Sequence, residues 1–234
     1  MSLPESPSES LSEFRNQILD DVAAGRLADG LIGEGVMIPG LEGDVPMVYA
    51  DYVASGRALR QVESFVAERV LPFYANSHTE ASFCGGYITR LRAAARAEIG
   101  RAVGADAAHA VIFAGSGATA GLNRLVSLLG LREARRAVVL IGPYEHHSNI
   151  LPWRESGAEV VEIPEGAEGG PDLGALETAL IAARGADVVV GAFSAASNVT
   201  GIVTDPDPVT RMLKAHGALA VWDYAGGGPY LPIS

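Results

Sequence analysis

The stretch Tyr144-Glu145-His146-His147-Ser148-Asn149-Ile150-Leu151-Pro152-Trp153 decides how this chain is read. An apolar, strand-like run, Ala137 to Ile141, leads into it, and a second, Ala158 to Ile163, follows it. Two adjacent histidines therefore stand where a strand ends and a helix begins. In open α/β sheets the carboxyl ends of strands are where ligands bind. Glu145, His146 and His147 are contiguous, so they do not share one helical face, and a helical zinc pair needs i, i+4 spacing. No metal site is expected. Contiguity favours one ring turned into a pocket and the other turned away, although a surface or capping histidine is the plainer alternative.

Outward from that stretch, strands and helices alternate. Ala108 to Phe113 reads as a strand and Ala118 to Leu129 as a helix. Leu173 to Ala183 reads as a helix capped by Asp172. Asp187 to Ala192 is a continuous apolar run, the mark of a strand buried on both faces. Asp205 to His216 reads as a helix and Ala218 to Trp222 as another buried strand. Upstream, helices are expected over Leu11 to Ala24, Ala58 to Val70 and Tyr87 to Val103, with a short strand at Met47 to Ala50. Gly30 to Pro46 reads as loop, and Phe73 to Cys84 as an irregular segment rich in polar groups. The alternation predicts an α/β fold with a mostly parallel sheet and helices on both faces. Residues 1–48 are expected to form an N-terminal extension, with 1–12 disordered on composition. Residues 49–234 are expected to form one domain. No helix follows the last strand before Ser234, so the sequence reads as part of something longer.

Composition narrows the function. A net charge of -11 over 234 residues argues against a nucleic-acid surface, which needs clustered Lys and Arg. No apolar segment reaches the roughly 20 residues of a membrane span, and the amino terminus lacks a signal pattern. A cytoplasmic protein is expected. The single cysteine, Cys84, excludes an intrachain disulfide and reads as a small buried filler. Lys214 is the only lysine.

Three further clusters fall at strand ends. Phe113-Ala114-Gly115-Ser116-Gly117-Ala118-Thr119 reads as strand, glycine turn and helix start, a geometry that binds anions. Gly115, Gly117 and Gly121 miss the dinucleotide spacing, and a Walker loop needs a lysine. What remains is a single phosphate group or a plain tight turn. Ser197 and Asn198 follow a buried strand, and Asp223 ends another. A carboxylate there is costly unless paired or hydrogen-bonded, and no Lys or Arg is near in sequence. A ligand with a phosphate, an aromatic ring and a protonated ring nitrogen would satisfy the whole set. Pyridoxal 5'-phosphate (PLP) is such a ligand.

The ordered set resembles the class V aminotransferase family of PLP-dependent enzymes, in particular its cysteine desulfurase/selenocysteine lyase branch. Glu145-His146-His147-Ser148-Asn149 with Pro152-Trp153 is similar to that branch's signature. Gly117-Ala118-Thr119 resembles its phosphate loop, Ser197-Asn198-Val199-x-Gly201 its asparagine motif, Tyr49-x-Asp51-Tyr52-x-Ala54-Ser55 its opening strand, and Asn76-Ser77-His78 the loop after it. The resemblance runs from about Tyr49 to Asp223. It implies the fold type I, aspartate aminotransferase-like large domain, three-layered, with its C-terminal part absent.

By position it implies that His146 stacks on the pyridine ring and relays protons, and that Asp223 pairs with the ring nitrogen. It also implies that Asn198 bonds the ring hydroxyl, and that Thr119 with the N–H groups of Gly117 and Ala118 holds the phosphate. Ala54, Asn76 and His78 would lie near an amino-acid substrate. The implied reaction is C–S bond cleavage through a substrate–PLP aldimine, in a homodimer. Transamination, or a non-catalytic module that keeps the fold, are the alternatives. The sequence departs from the family at Asp223-Tyr224-Ala225-Gly226, where a glutamine is usual in place of Gly226. The family's Schiff-base lysine, nucleophilic cysteine and substrate-carboxylate arginine would all lie beyond Asp223. Lys214 precedes it, and Cys84 is at the wrong place.

Overall fold

A computed structural model describes residues 6–77 and 80–233. The chain divides into two compact units, one ending at Ile112 and the other spanning Phe113–Ile233.

In the first unit, α1 (Pro7–Ala23) opens on a capping box. The Ser6 hydroxyl accepts the Glu9 N–H, and the Glu9 carboxylate accepts the Ser6 N–H. Pro7 supplies a pre-set φ at the first helical position. Residues 7–12 are therefore helical, not disordered as their composition predicts: the cap satisfies donors that would otherwise need water. Met37–Gly40 (β1) and Gly43–Pro46 (β2) pair as an antiparallel hairpin inside the segment read as loop. Every residue of both strands is exposed, so no alternation marked them. Met47–Ala50, expected as a strand, is irregular: the pairing ends at Pro46, and only the Met47 N–H continues it, donating to the Val36 carbonyl.

Arg60–Phe65 (α2) runs on through a π turn at Val66–Val70, and Phe83–Ala102 forms α3. Buried Tyr87, Ile88 and Leu91 of α3 pack against Leu11, Phe65, Val70 and Phe73. The Phe14 and Phe65 rings stack at 4.6 Å.

The second unit holds a four-stranded, all-parallel sheet in the order β4-β3-β5-β6. Its strands are β3 (Ala137–Ile141), β4 (Glu159–Glu162), β5 (Val188–Ser194) and β6 (Leu219–Asp223). Helix α4 (Gly117–Leu128) leads into β3, and α5 (Leu151–Glu155), α6 (Leu173–Ala182) and α7 (Pro206–Ala215) connect the successive strands. Side chains alternate across the sheet. Val138, Leu140 and Phe193 pack with Leu176, Leu180, Val209 and Leu213 of α6 and α7. Val139, Ile141, Val190 and Ala192 pack with Leu122 and Val126 of α4 and Trp153 of α5 on the other face. This is the expected α/β arrangement of a sheet between helices. Asp172 and Asp205 cap α6 and α7 through their side chains.

Two expectations fail here. Ala108 to Phe113 forms no strand; Ile112 and Phe113 are exposed, and strand propensity expresses packing on a half-buried surface rather than a backbone preference. β6 is an edge strand and only half-buried, not enclosed on both faces.

Candidate functional site

The strand order creates a switch point. From β3 the chain crosses to β4 on one side, then returns to pair β5 on the other. Ligand crevices of open α/β sheets lie outside the carboxyl ends of the strands at such a point. The segments leaving those ends are 142–150 after β3, 195–204 after β5, and 224 onward after β6.

The first segment carries the histidines. His146 caps a single 3-10 turn, His147–Asn149. Its Nδ1 accepts the Ser148 N–H at 3.2 Å and lies 2.9 Å from Ser148 Oγ. A ring nitrogen that accepts carries no proton, so the neutral imidazole holds its proton on Nε2. The two histidine rings meet edge-to-face at 5.8 Å, and both residues are exposed. One ring does not point inward while the other points away, as contiguity suggested.

Glu145 and Asn149 turn the other way. Glu145 is largely buried and reaches the end of β5. Burial pushes its carboxyl above the usual carboxylate range, and the nearby Asp223 charge adds to this. Hydrogen bonds from Ser194 and Asn149 oppose it. Its signal was present in the sequence: Glu145, Asn149 and Trp153 recur every four residues, the spacing at which helical side chains meet.

In the segment after β5, the buried Ser197 hydroxyl accepts the N–H groups of Val199 and Thr200. Gly201 closes the turn at φ +73. Asn198 projects exposed from it. Asp223 stands beside Ser194 in register. One of its oxygens accepts the Ala225 N–H at 2.8 Å. That bond partly answers the cost of a carboxylate at a strand end, and half-burial of β6 lowers it further.

The fourth part is the start of α4. Its last turn feeds through 129–136 into the start of β3, so its first turn faces the opposite, carboxyl edge. Its packing on the 147–149 turn and on α5 agrees. Gly115 and Gly117 hold φ of +115 and +67, conformations side chains disfavour. A Cβ at Gly117 would meet nothing within 4 Å, so backbone conformation, not space, calls for glycine there. The leading N–H groups, with Thr119 in the first turn, have no side-chain cap from Ser116, and such a helix start can accept an anion.

Gly117, Ala118, Thr119, His146, Asn198 and Asp223 therefore share one edge of one sheet. Ala54 and Asn76 belong to the first unit, where both are exposed. His78 lies outside the described residues. Lys214 is exposed near the end of α7, which leads into the start of β6. It stands at the amino edge, a five-residue strand from Asp223, roughly 16 Å at the usual rise. Cys84 is half-buried at the start of α3, in the first unit.

The sequence profile described as Aminotransferase class-V matches residues 48–234. The chain belongs to the class-V aminotransferase family. This family uses PLP and acts on amino-acid substrates. The family member named probable cysteine desulfurase from Streptomyces coelicolor is 26% identical over 196 residues, covering 80% of this chain and 46% of that protein. One of the same name from Vibrio cholerae is 29% identical over 188 residues, 78% and 45%. The apo structure of cysteine desulfurase from Thermococcus onnurineus matches with TM-score 0.66 at 25% identity, over 80% and 46%. The NifS-like protein from Rickettsia africae shares the fold, with TM-score 0.70 at 23% identity, over 80% and 50%. The chain thus spans about half the length of the class-V relatives it matches. Among the described residues, no helix is long and apolar enough to cross a membrane.

Proposed function

We propose that this chain is the cofactor-holding portion of a PLP-dependent enzyme that cleaves the C–S bond of an amino acid, as a cysteine desulfurase does. The observation that carries the reading is the single sheet edge on which an anion-binding helix start, an imidazole, an amide and a carboxylate converge at the switch point. The chemistry of the donor set suits the group. Thr119 and the N–H groups of Gly117 and Ala118 bind a phosphate. Asp223 would hold a proton on a pyridine nitrogen. Asn198 would bond a ring hydroxyl, and His146 would stack on the ring. When bound, PLP supplies an electron sink for bonds at the substrate's Cα and Cβ. The residues here bind and orient that sink, and the Nε2–H of His146 moves a proton. Ala54, Asn76 and His78 are assigned to the substrate.

The chain's only lysine, Lys214, lies at the opposite edge of the sheet. Binding by this chain is therefore non-covalent. A module that binds without catalysis is the second reading, favoured by that placement of Lys214. In either reading residues 49–234 are assigned to the PLP-binding portion, and the half-exposed β6 would be covered by a homodimer or by the part of the relatives' length that this chain does not span.

Titrating the chain with PLP and following cofactor absorbance tests the proposal. Saturable binding is expected, weakened about tenfold or more by Asp223→Ala or Thr119→Ala. Absence of saturable binding overturns it. Borohydride treatment followed by peptide mass measurement is expected to leave Lys214 unmodified; a stoichiometric adduct there means that the site has been misplaced. For the whole protein, sulfide release from cysteine supports desulfurase chemistry, and keto-acid formation supports transamination.

A further inference from the structure

Glu145 is the hub of a hydrogen-bonded chain that the site described above does not use. One carboxylate oxygen accepts the Ser194 N–H at 2.8 Å. The other accepts the Ser194 hydroxyl at 2.6 Å and an Asn149 Nδ2–H at 2.5 Å. Asn149 Oδ1 in turn accepts the Trp153 indole N–H at 2.9 Å. Asn149 and Trp153 are wholly buried.

Each link has a fixed sense. An indole N–H and a backbone N–H only donate. Asn149 must therefore present oxygen to Trp153 and its amino group to residue 145. Residue 145 must then accept on both of its atoms, which a carboxylate does and an amide does not. Among the described residues, the side-chain hydrogen bonds between this turn and β5 all end on Glu145. Among the described residues, the hydrogen bonds of His146, the next residue, stay within the turn: its ring nitrogen bonds Ser148, and its carbonyl accepts the Asn149 N–H. The turn also packs on α4, but its side-chain hydrogen-bonded tie to β5 is its neighbour's carboxylate.

We infer that Glu145 is a positioning residue: its two hydrogen bonds to Ser194 clamp the 145–149 turn to the end of β5, its third braces Asn149 within the turn, and together they fix the His146 ring, proton on Nε2, at the carboxyl edge of the sheet. What His146 does there rests on the reading of a PLP site; how it is held does not.

The test uses the whole chain with 15N-labelled histidine. His146 is assigned through a His146→Asn variant, and its tautomer is read at alkaline pH, where imidazoles are neutral. PLP affinity is measured alongside. The parent chain is expected to show the Nε2–H form. In Glu145→Gln, an amino group faces that of Asn149; the His146 signal is expected to become a tautomer mixture, with PLP affinity down about fivefold or more. Glu145→Gln/Asn149→Asp pairs the new amino group with a carboxylate at 149 and leaves the Ser194 hydroxyl to turn and accept from it, and is expected to recover both readouts to within about twofold. A Gln variant with both unchanged overturns the inference, as does a folded double variant as disturbed as the single. Should the Gln variant not fold, Ser194→Ala deletes one bond of the three. A shifted tautomer ratio then supports the clamp, and an unchanged one overturns it. A parent chain that binds no PLP defeats the functional reading, while the tautomer still decides this one.

Discussion

The two units treat hydrophobic residues in opposite ways. In the second, β3 is buried along its whole length, and helices cover the sheet on both faces. In the first, the strands of the β1–β2 hairpin are exposed throughout, and the core is three buried residues of α3 with their neighbours. Burial, not secondary structure, separates the units. The second spends its apolar residues on a sheet, which fixes where strand ends point. The first leaves its strands held by backbone pairing.

The largest expected effect tests that contrast directly. Trp153→Ala empties a wholly buried indole site between α5 and the sheet and should cost about 3–5 kcal/mol. Leu41→Ala, at the exposed hairpin tip, should stay within about 0.5 kcal/mol. Urea unfolding followed by circular dichroism reads both; equal losses would erase the distinction.

Next is Gly191→Ala on β5. Its Cβ would come within 2.5 Å of the Leu213 side chain and 2.9 Å of Phe193, both buried. Overpacking of about 1–3 kcal/mol is expected. Both tryptophans lie in the second unit, so their fluorescence should report an earlier transition. No shift in the midpoint would mean that this core yields more freely than its burial implies.

In the first unit the expected change is smaller. Ser6→Ala deletes the α1 cap and should cost about 1 kcal/mol. Amide exchange along the first turn of α1 measures it, and unchanged protection would make the cap decorative.

The smallest and most local contrast is between two carboxylates of the second unit. Glu145 is pushed up, chiefly by burial; Asp187, hydrogen-bonded by Arg135 and Arg136, is held below the usual range. The raised group binds its proton more tightly when folded. Its stabilisation is complete below the ordinary glutamate value and is lost as pH rises through the shifted one. The lowered group behaves oppositely, losing stabilisation as pH falls through its depressed value. Carboxyl NMR titration should place Glu145 above and Asp187 below their ordinary values. Glu145→Gln should remove the loss that comes with rising pH, and titration of both at ordinary values would refute the assignment.

Legibility followed the same division. β3, β5, the cap of α6 and the histidine turn were readable because burial and capping impose a pattern on residue choice. The hairpin was not, since exposed strands need no alternation. Ala108 to Phe113 has strand propensity but no half-buried surface to pack on, and misled for that reason. At the candidate site, the residues assigned to a ligand fall in motifs that the sequence displays. Glu145 was overlooked because the adjacent histidines drew the chemical reading, although its spacing to Asn149 and Trp153 was in plain view.

The register of the sheet also sets an order of assembly. Val138 meets Glu159 across a single crossover, whereas Ala137 must find Val188 after the chain has passed through both β4 and α6. Pairings between residues far apart in sequence close late and slow the search for the native state. Until β5 arrives, β3 has one flank open and the apolar run Val188–Val190 is unpaired. That interval is when a newly made chain is most exposed to misassociation. The clamp from Glu145 to Ser194 can form only at its end, so the geometry of the site is among the last things this sequence acquires.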